Sequence, residues 1–181
     1  QGATATDLVL YIVEILRGVG VVDRFVEFFG PAVKTLSVSD RATISNMAPE
    51  QGSTISVFPV DDVTLEYLRL TGRDEKHIRL VEAYLKEQGL FGEQEPEYTE
   101  IVELDLSTIE PSLAGPKRPQ DRVLLNEMRN HFEDLLESEV GEKETSKGIL
   151  VELEEGRSSS IGHGSVVVSA ITSCTNTSNP T

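Results

Sequence analysis

The residues with the clearest potential for chemistry follow an apolar segment near the end of the printed sequence. Cys174 is the single cysteine of the 181 residues, and the run 165–171 before it predicts a buried strand. Ser173, Thr175 and Asn176 are its polar neighbours. Ligands of α/β sheets bind at the carboxyl ends of strands, where such side chains could hydrogen-bond a thiolate or a cluster sulfur. Spacing alone leaves a second interpretation open, a small buried apolar cysteine.

The second candidate is a carboxylate on a predicted tight turn. Glu50 stands in the run 47–52 (MAPEQG), between a predicted helix and a predicted strand. A carboxylate held on a constrained turn suits proton transfer better than one on a flexible surface. Asn46, one helical turn earlier, could share the same wall of a site. The alternatives are a solvated acid for Glu50 and a helix-capping role for Asn46.

Composition and motifs exclude several other classes of site. A single cysteine excludes an internal disulfide and a metal site built from this chain's cysteines alone, and it favours a cytosolic setting. The net charge of −15 repels nucleic-acid phosphates, so RNA binding by this chain is not expected. No apolar run is long enough to cross a membrane, and no nucleotide-binding or serine-nucleophile motif is present. The histidines are weak candidates, with exposed helix positions expected for His77 and His131 and a turn for His163.

The elements that would hold these residues alternate between helix and strand. Apolar residues at helical spacing, with Thr4 and Asp7 as a capping pair, predict a helix over 4–19. The alternation predicts an α/β unit over 1–94, a three-layer αβα arrangement with a mainly parallel sheet. Its other predicted elements are helices that begin at Ser39-Asp40, Asp61-Asp62 and Asp74, a buried strand over 25–29 and a second strand over 54–58.

The remainder of the chain predicts a second unit. Residues 91–98 are rich in Gly, Pro, Gln and Glu, which indicates a linker at 95–98. We expect residues 99–181 to be the incomplete start of another α/β domain. The first residue is not methionine and no signal peptide is visible, which suggests a segment of a longer chain. The elements predicted here are a strand in 101–109, an irregular stretch over 111–119, a helix over 123–136, and strands over 149–153 and 165–171.

Four segments of the sequence closely resemble the aconitase family. They are 20–34 (GVVDRFVEFFGPAVK), 39–62 (SDRATISNMAPEQGSTISVFPVDD), 115–121 (GPKRPQD) and 164–180 (GSVVVSAITSCTNTSNP). The third is similar to the branch that contains aconitate hydratase A and the cytosolic aconitases that double as iron regulatory proteins. The resemblance implies a parent of four α/β domains around a [4Fe–4S] cluster, with residues 1–94 as the second domain and 99–181 as the opening of the third.

The resemblance also implies roles for individual residues. Cys174 matches the first of three cluster-ligating cysteines, Glu50 an active-site glutamate, and Asn46 an asparagine that lines the cluster pocket. Cysteine and tyrosine often occur in the family where this chain has Ala48 and Gln51, so the pocket wall is expected to be repacked. The other two cysteines, the catalytic serine and the substrate-binding arginines belong to parts of the family's chain that are absent from these 181 residues.

The implied activity is the interconversion of citrate and isocitrate through cis-aconitate, with a tricarboxylic acid as substrate. We expect it of a cytoplasmic parent that includes the remaining domains, and we expect the 181 residues alone to be inactive. Two alternatives stay open at this point. One is dehydration of 2-methylcitrate by a related branch of the family. The other is binding of iron-responsive RNA by a cluster-free parent, which the acidity of this chain disfavours.

Overall fold

The computed structural model of the chain describes residues 2–94, 96–140, 148–153 and 156–166. No helix in these ranges combines the length and the apolar character needed to cross a membrane. The helices are α1 (Ala5–Val19), α2 (Val38–Asn46), α3 (Ala48–Gln51), α4 (Asp62–Leu70), α5 (Glu75–Glu87) and α6 (Met128–Val140). The strands are β1 (Phe25–Glu27), β2 (Ile55–Val57), β3 (Ser112–Ala114), β4 (Arg122–Leu124), β5 (Ile149–Glu152) and β6 (Ser158–Ile161), and 3₁₀ turns cover Pro31–Thr35 and Leu106–Thr108.

Helix α1 forms where the sequence predicts it and carries most of the core. Thr4 and Asp7 make the predicted capping box, in which each residue's side chain accepts a hydrogen bond from the other's backbone N–H. The helix ends at Gly20, whose φ of 83° is left-handed and whose N–H bonds to the carbonyl of Leu16 at 3.0 Å. Its buried apolar face consists of Leu8, Val9, Ile12, Val13 and Leu16.

Strands β1 and β2 pair in parallel, as the alternation of elements predicts, with Val26 opposite Ser56. The predicted strand forms within residues 25–29, but the prediction that it is buried is wrong, because Phe25 is 78% exposed. Within the described ranges the sheet has two strands, and Phe25, Ile55 and Val57 share its exposed face. Val26, on the opposite face, packs against the core that α1 organises. The predicted α/β class is confirmed by this small parallel sheet and its helices.

Helices α2 and α4 begin at residues whose side chains cap them. Helix α4 follows Asp61 as predicted, and the Asp61 carboxylate accepts a hydrogen bond from the N–H of Thr64 at 3.2 Å. The predicted start of α2 at Ser39-Asp40 is wrong, because Ser37 is the capping residue. Asp40 closes the capping box from inside the helix, with its Oδ2 2.7 Å from the Ser37 hydroxyl.

Residues 99–125 differ from their predictions because contacts with α1 shape them. Residues 101–109 contain a 3₁₀ turn rather than the predicted strand, and Leu104, Leu106 and Ile109 pack against the core. The stretch 111–119, predicted to be irregular, contributes β3, which pairs antiparallel with β4. The predicted helix over 123–136 therefore begins later, at Met128.

Beyond α6 the described residues form a second antiparallel hairpin. The weak strand predicted at 149–153 is confirmed as β5, and its partner β6 was not predicted. The strand predicted over 165–171 lies outside the described residues apart from its first two positions. Cys174, Ser173, Thr175 and Asn176 lie outside them as well.

Candidate functional site

Glu50 lies in α3, the short helix that turns the chain from α2 into β2. Its side chain is half-buried, and its Oε2 atom is shielded from solvent without a hydrogen-bond partner among the described residues. A carboxylate oxygen removed from water normally gains a donor, so an orphaned one needs an explanation. At this position the oxygen is available to a donor from a ligand or from another part of a longer protein.

The buried side chain of Gln51 anchors the turn that carries Glu50. Gln51 is fully buried, and its Nε2 donates to the carbonyl of Ile44 in α2 at 2.8 Å. Its Oε1 accepts hydrogen bonds from the hydroxyls of Ser56 in β2 at 2.5 Å and Ser53 at 3.4 Å. The amide thus joins α2, α3 and β2, and it fixes the backbone next to Glu50.

Gly52 ends α3 in a conformation that requires glycine. Its φ is 92°, in the left-handed region, and its N–H bonds to the carbonyls of Ala48 at 3.0 Å and Pro49 at 3.1 Å. A Cβ at this position would stand 3.1 Å from Nη1 of Arg17. The missing side chain therefore allows both the tight turn and the close approach of a guanidinium.

Arg17 binds the same turn from the last turn of α1. Its Nε donates to the carbonyl of Glu50 at 2.6 Å, and its Nη2 donates to the carbonyl of Pro49 at 3.1 Å. The planar guanidinium thereby reaches two successive carbonyls at once. Sequence analysis missed Arg17, because a basic residue in the last turn of a helix is common and the two contacts span 32 and 33 positions.

A polar face of α1 holds the β3–β4 hairpin. The carboxylate of Asp7 accepts a hydrogen bond from the N–H of Ser112 at 2.7 Å. Arg122 donates to Glu14 at 2.7 Å and places its guanidinium 4.8 Å from the ring centre of Tyr11. Burial acts to raise the pKa of Asp7, but the hydrogen bonds from Thr4 and Ser112 outweigh it and leave that pKa below its ordinary value. The hairpin is thus fixed to the helix that carries Arg17.

The loop of this hairpin completes a pocket beside Glu50. The pocket measures about 270 Å³, and Arg118, Pro119 and Gln120 face Glu50 and Arg17 across it, with Pro49 as the sixth lining residue. Asp121 closes the loop by accepting the N–H of Arg118 at 3.1 Å. The Arg118 guanidinium makes no hydrogen bond or ion pair within the described part of the chain. Glu50, Arg17 and Arg118 therefore line one open depression, in which the Arg17 guanidinium is already bound to backbone carbonyls and Arg118 supplies a second positive charge.

The other predicted site residues lie apart from this pocket or outside the description. Asn46 is the exposed last residue of α2 and is not one of the six residues that line the pocket. The prediction that Asn46 shares a wall of the site with Glu50 stays a prediction. His77 and His131 are exposed, as predicted, and His163 is exposed beside a turn. The positions of Cys174 and its neighbours relative to Glu50 are not described.

The described residues contain no ready-made metal centre. Nowhere in 2–94, 96–140, 148–153 or 156–166 do three His, Cys, Asp or Glu side chains gather into a group that could hold a metal ion. Cys174 is the one thiol of the chain. A cluster that uses it would therefore need further ligands from outside these 181 residues.

Comparison with known proteins gives one consistent result. The model of the aconitase family (aconitate hydratase) matches residues 1–181. Aconitate hydratase A of Thermus thermophilus is 54% identical over 191 residues, and that of Staphylococcus epidermidis is 49% identical over 190 residues. The protein of the same name in Staphylococcus aureus is also 49% identical over 190 residues. Each alignment covers 99% of this chain but 21% of the relative, so the chain spans about a fifth of the length of these proteins.

Proposed function

The chain belongs to the aconitase family, and from this premise we propose that it is a segment of an iron–sulfur hydro-lyase. The parent would interconvert citrate and isocitrate through cis-aconitate in the cytoplasm. In this proposal residues 1–94 are one α/β domain, 95–98 a linker, and 99–181 the opening of the next. The 181 residues alone would be inactive, because one thiolate cannot hold a cluster that three cysteines share.

The buried, unpartnered Oε2 of Glu50 is the observation that best supports this proposal. The atom lies on a turn held by Gln51 on one side and Arg17 on the other, next to a cavity bordered by two arginines. A general acid or base needs such a placement, with the backbone fixed and the carboxylate left able to exchange a proton. A carboxylate with a purely structural role would have its oxygens satisfied within the fold.

The residues of this chain fit a cluster in part. Cys174 would supply one thiolate, with hydrogen bonds from Ser173, Thr175 and Asn176 that tune its charge, and the other ligands would come from the rest of the parent. When bound, the cluster supplies a Lewis acid that weakens the bond between carbon and the leaving hydroxyl. The unsatisfied Glu50 oxygen would suit a hydroxyl or water beside such a cluster, because either can donate a hydrogen bond, whereas iron and sulfide carry no donor.

The chain's own residues would handle the proton that accompanies hydroxyl transfer. In dehydration Glu50 would donate a proton to the departing hydroxyl, which would then leave as water. In hydration Glu50 would take a proton from the water that adds. Asn46 would donate hydrogen bonds to a bound oxygen or to a cluster sulfide. The separate base that removes the proton from carbon would come from another segment of the parent.

Turnover by the full-length protein tests this proposal. After anaerobic reconstitution with iron and sulfide, the wild type should form cis-aconitate from citrate, measured by its ultraviolet absorbance. Glu50→Gln should lower kcat by about 10²–10⁴-fold, the usual contribution of a general acid or base. Cys174→Ser should abolish turnover together with the cluster's visible absorbance. Glu66→Gln is the matched control, because Glu66 is exposed on α4. Undiminished activity in Cys174→Ser would remove that residue as a ligand.

The same preparation distinguishes the related activities. Turnover of 2-methylcitrate in preference to citrate would assign the parent to that branch of the family. Tight binding of hairpin RNA by the cluster-free protein at a stated salt concentration would add a regulatory role, against the acidity of this segment.

A further inference from the structure

We propose that Arg17 is a positioning residue for Glu50, a role that rests on the proposed function. Arg17 makes its two hydrogen bonds to the backbone carbonyls of Pro49 and Glu50, and no ion pair joins its guanidinium to the Glu50 carboxylate in the described structure. It therefore acts on the backbone that carries the acid. The acid itself stays free of a partner at Oε2 among the described residues.

The placement of the carboxylate depends on this backbone. Because Oε2 has no partner in the described residues, the orientation of the Glu50 side chain follows from the position of its own Cα and from the walls of the pocket. Gln51 holds the turn from the core side through Ile44 and Ser56. Arg17 holds the turn from the pocket side, and no other described side chain donates to the Pro49 or Glu50 carbonyl.

Three features of the contact support this role. The planar fork spans two successive carbonyls, whereas a lysine ammonium is a single point of donation. Gly52 leaves open the space through which the guanidinium approaches. The helix that carries Arg17 is capped at its N-terminus by Thr4 and tied to the β3–β4 hairpin through Glu14, so its last turn is a fixed support.

Loss of the two hydrogen bonds that the Arg17 guanidinium donates should lower kcat more than it changes KM. A displacement of a catalytic group by about 1 Å can cost about 100-fold in rate, so Arg17→Met is expected to lower kcat by about 10- to 100-fold. KM should change by less than about threefold, because the variant disturbs the proton-transfer group rather than the groups that anchor the substrate. Arg17→Lys keeps the charge but loses the fork, so its kcat should stay within about threefold of Arg17→Met.

A double-mutant cycle in the full-length, reconstituted protein separates this role from a loss of folding. In the Glu50→Gln background, Arg17→Met should lower the remaining kcat by less than about twofold, because the group it positions is already disabled. Rates are expressed per cluster, and thermal unfolding is followed in parallel. The matched control is Arg69→Met, since Arg69 is an exposed residue of α4 whose one ion pair, to Glu75, lies away from the turn. That variant should retain wild-type kcat.

The outcomes distinguish this inference from the proposed function. If the wild type has no hydro-lyase activity, or if Glu50→Gln is fully active, the proposed function fails first. If Glu50→Gln is impaired while Arg17→Met keeps wild-type kcat, the inference about Arg17 is wrong and the proposed function stands. Equal losses from Arg17→Met in both backgrounds, or full activity in Arg17→Lys, would also overturn the positioning role. If Arg17→Met does not accumulate, Arg17→Lys takes its place in the cycle.

Discussion

The ion pair between Arg41 and Asp61 gives the sharpest prediction about stability. Both side chains are buried, with exposed fractions of 5% and 10%, and the guanidinium donates to both carboxylate oxygens at 2.9 and 2.8 Å. Arg41 also donates to three backbone carbonyls, those of Val33, Leu36 and Pro59. One side chain thus ties α2 to the segments before it and before α4.

Asp61→Asn removes the charge of this pair and keeps most of its shape. Asparagine is a good capping residue, so its Oδ1 can still accept the N–H of Thr64 at the start of α4. The amide nitrogen of the new side chain would then face Nη2 of Arg41, and because both groups are hydrogen-bond donors they cannot bond to each other. Breaking a buried ion pair by removing one partner costs about 3–5 kcal/mol. Because the guanidinium keeps its three carbonyl acceptors, we expect the lower end, a loss of about 3 kcal/mol in the free energy of unfolding.

Urea unfolding of the 181-residue chain, followed by circular dichroism, measures this loss. Asp62→Asn is the matched control, because Asp62 is the exposed neighbour in the same helical turn. Its cost should not exceed about 1 kcal/mol, the upper end of the usual effect of an exposed charge at a helix N-terminus. A loss below about 1 kcal/mol for Asp61→Asn would show that desolvation of the pair cancels its attraction, and the reasoning would be refuted.

The dependence on pH provides a second measurement of the same pair. Burial acts to raise the pKa of Asp61, but hydrogen bonds from Arg41 and Thr64 and the charge of Arg41 outweigh it and leave the pKa below its ordinary value. The ionised carboxylate therefore stabilises the fold above the unfolded pKa near about 3.9, and this contribution is lost as the pH falls through the lower folded value. The difference in stability between wild type and Asp61→Asn should be constant near neutral pH and should narrow below about pH 4.

Three further predictions concern the supports of the candidate site, each measured by urea unfolding. Gln51→Leu should cost about 2–3 kcal/mol, because the Ser56 hydroxyl loses its buried acceptor, and a cost near zero would contradict the anchoring role. Arg122→Met should cost about 1 kcal/mol, since its partner Glu14 is partly exposed, and a proteolysis assay should show faster cleavage in the hairpin loop. Gly52→Ala should cost about 1–3 kcal/mol through the left-handed φ, and an unchanged midpoint would argue against the described turn.

Local signals in the sequence account for the elements that were predicted well. The Thr4–Asp7 capping box and the apolar spacing of α1 lie within one helix, so short-range rules suffice. The same rules locate α4 after Asp61. The start of α2 was misplaced at Ser39-Asp40 although the capping-box rule selects Ser37, because only Ser37 has an acidic residue three positions later. The existence of these helices and the correct start of α2 were therefore both predictable from local signals.

Long-range contacts account for most of the errors. The apolar residues of 101–109 alternate enough to predict a strand, yet the side chains of Leu104, Leu106 and Ile109 pack against the core that α1 organises. The prolines of 111–119 predict a loop. In the structure the Asp7 carboxylate accepts a hydrogen bond from the N–H of Ser112, and this contact supports a hairpin. In both cases the deciding partner lies about a hundred positions away, and Asp7 gives no local sign of it. Tertiary packing thus overrides local preference.

Some residues of the candidate site could likewise be predicted from local sequence patterns, and others could not. Glu50 could be selected from the sequence because a carboxylate on a constrained turn is a local pattern. Arg17 and Arg118 could not, since each reaches the pocket through contacts made elsewhere, one through α1 and the other through the β3–β4 hairpin. Gln51 was noted only as a departure from the family, and its buried amide has a structural role that the sequence does not reveal.

Helix α1 is the element that makes one site out of these separate parts. Asp7, Tyr11 and Glu14 follow one another at helical spacing and each contacts the β3–β4 hairpin, while Arg17 continues the same series and contacts the Glu50 turn. The positions of the hairpin and of the Glu50 turn therefore both depend on contacts with this single helix. A change at Asp7 or Glu14 would move Arg118 relative to Glu50 without touching either residue. The opposite face of α1 supplies the core that keeps this support rigid.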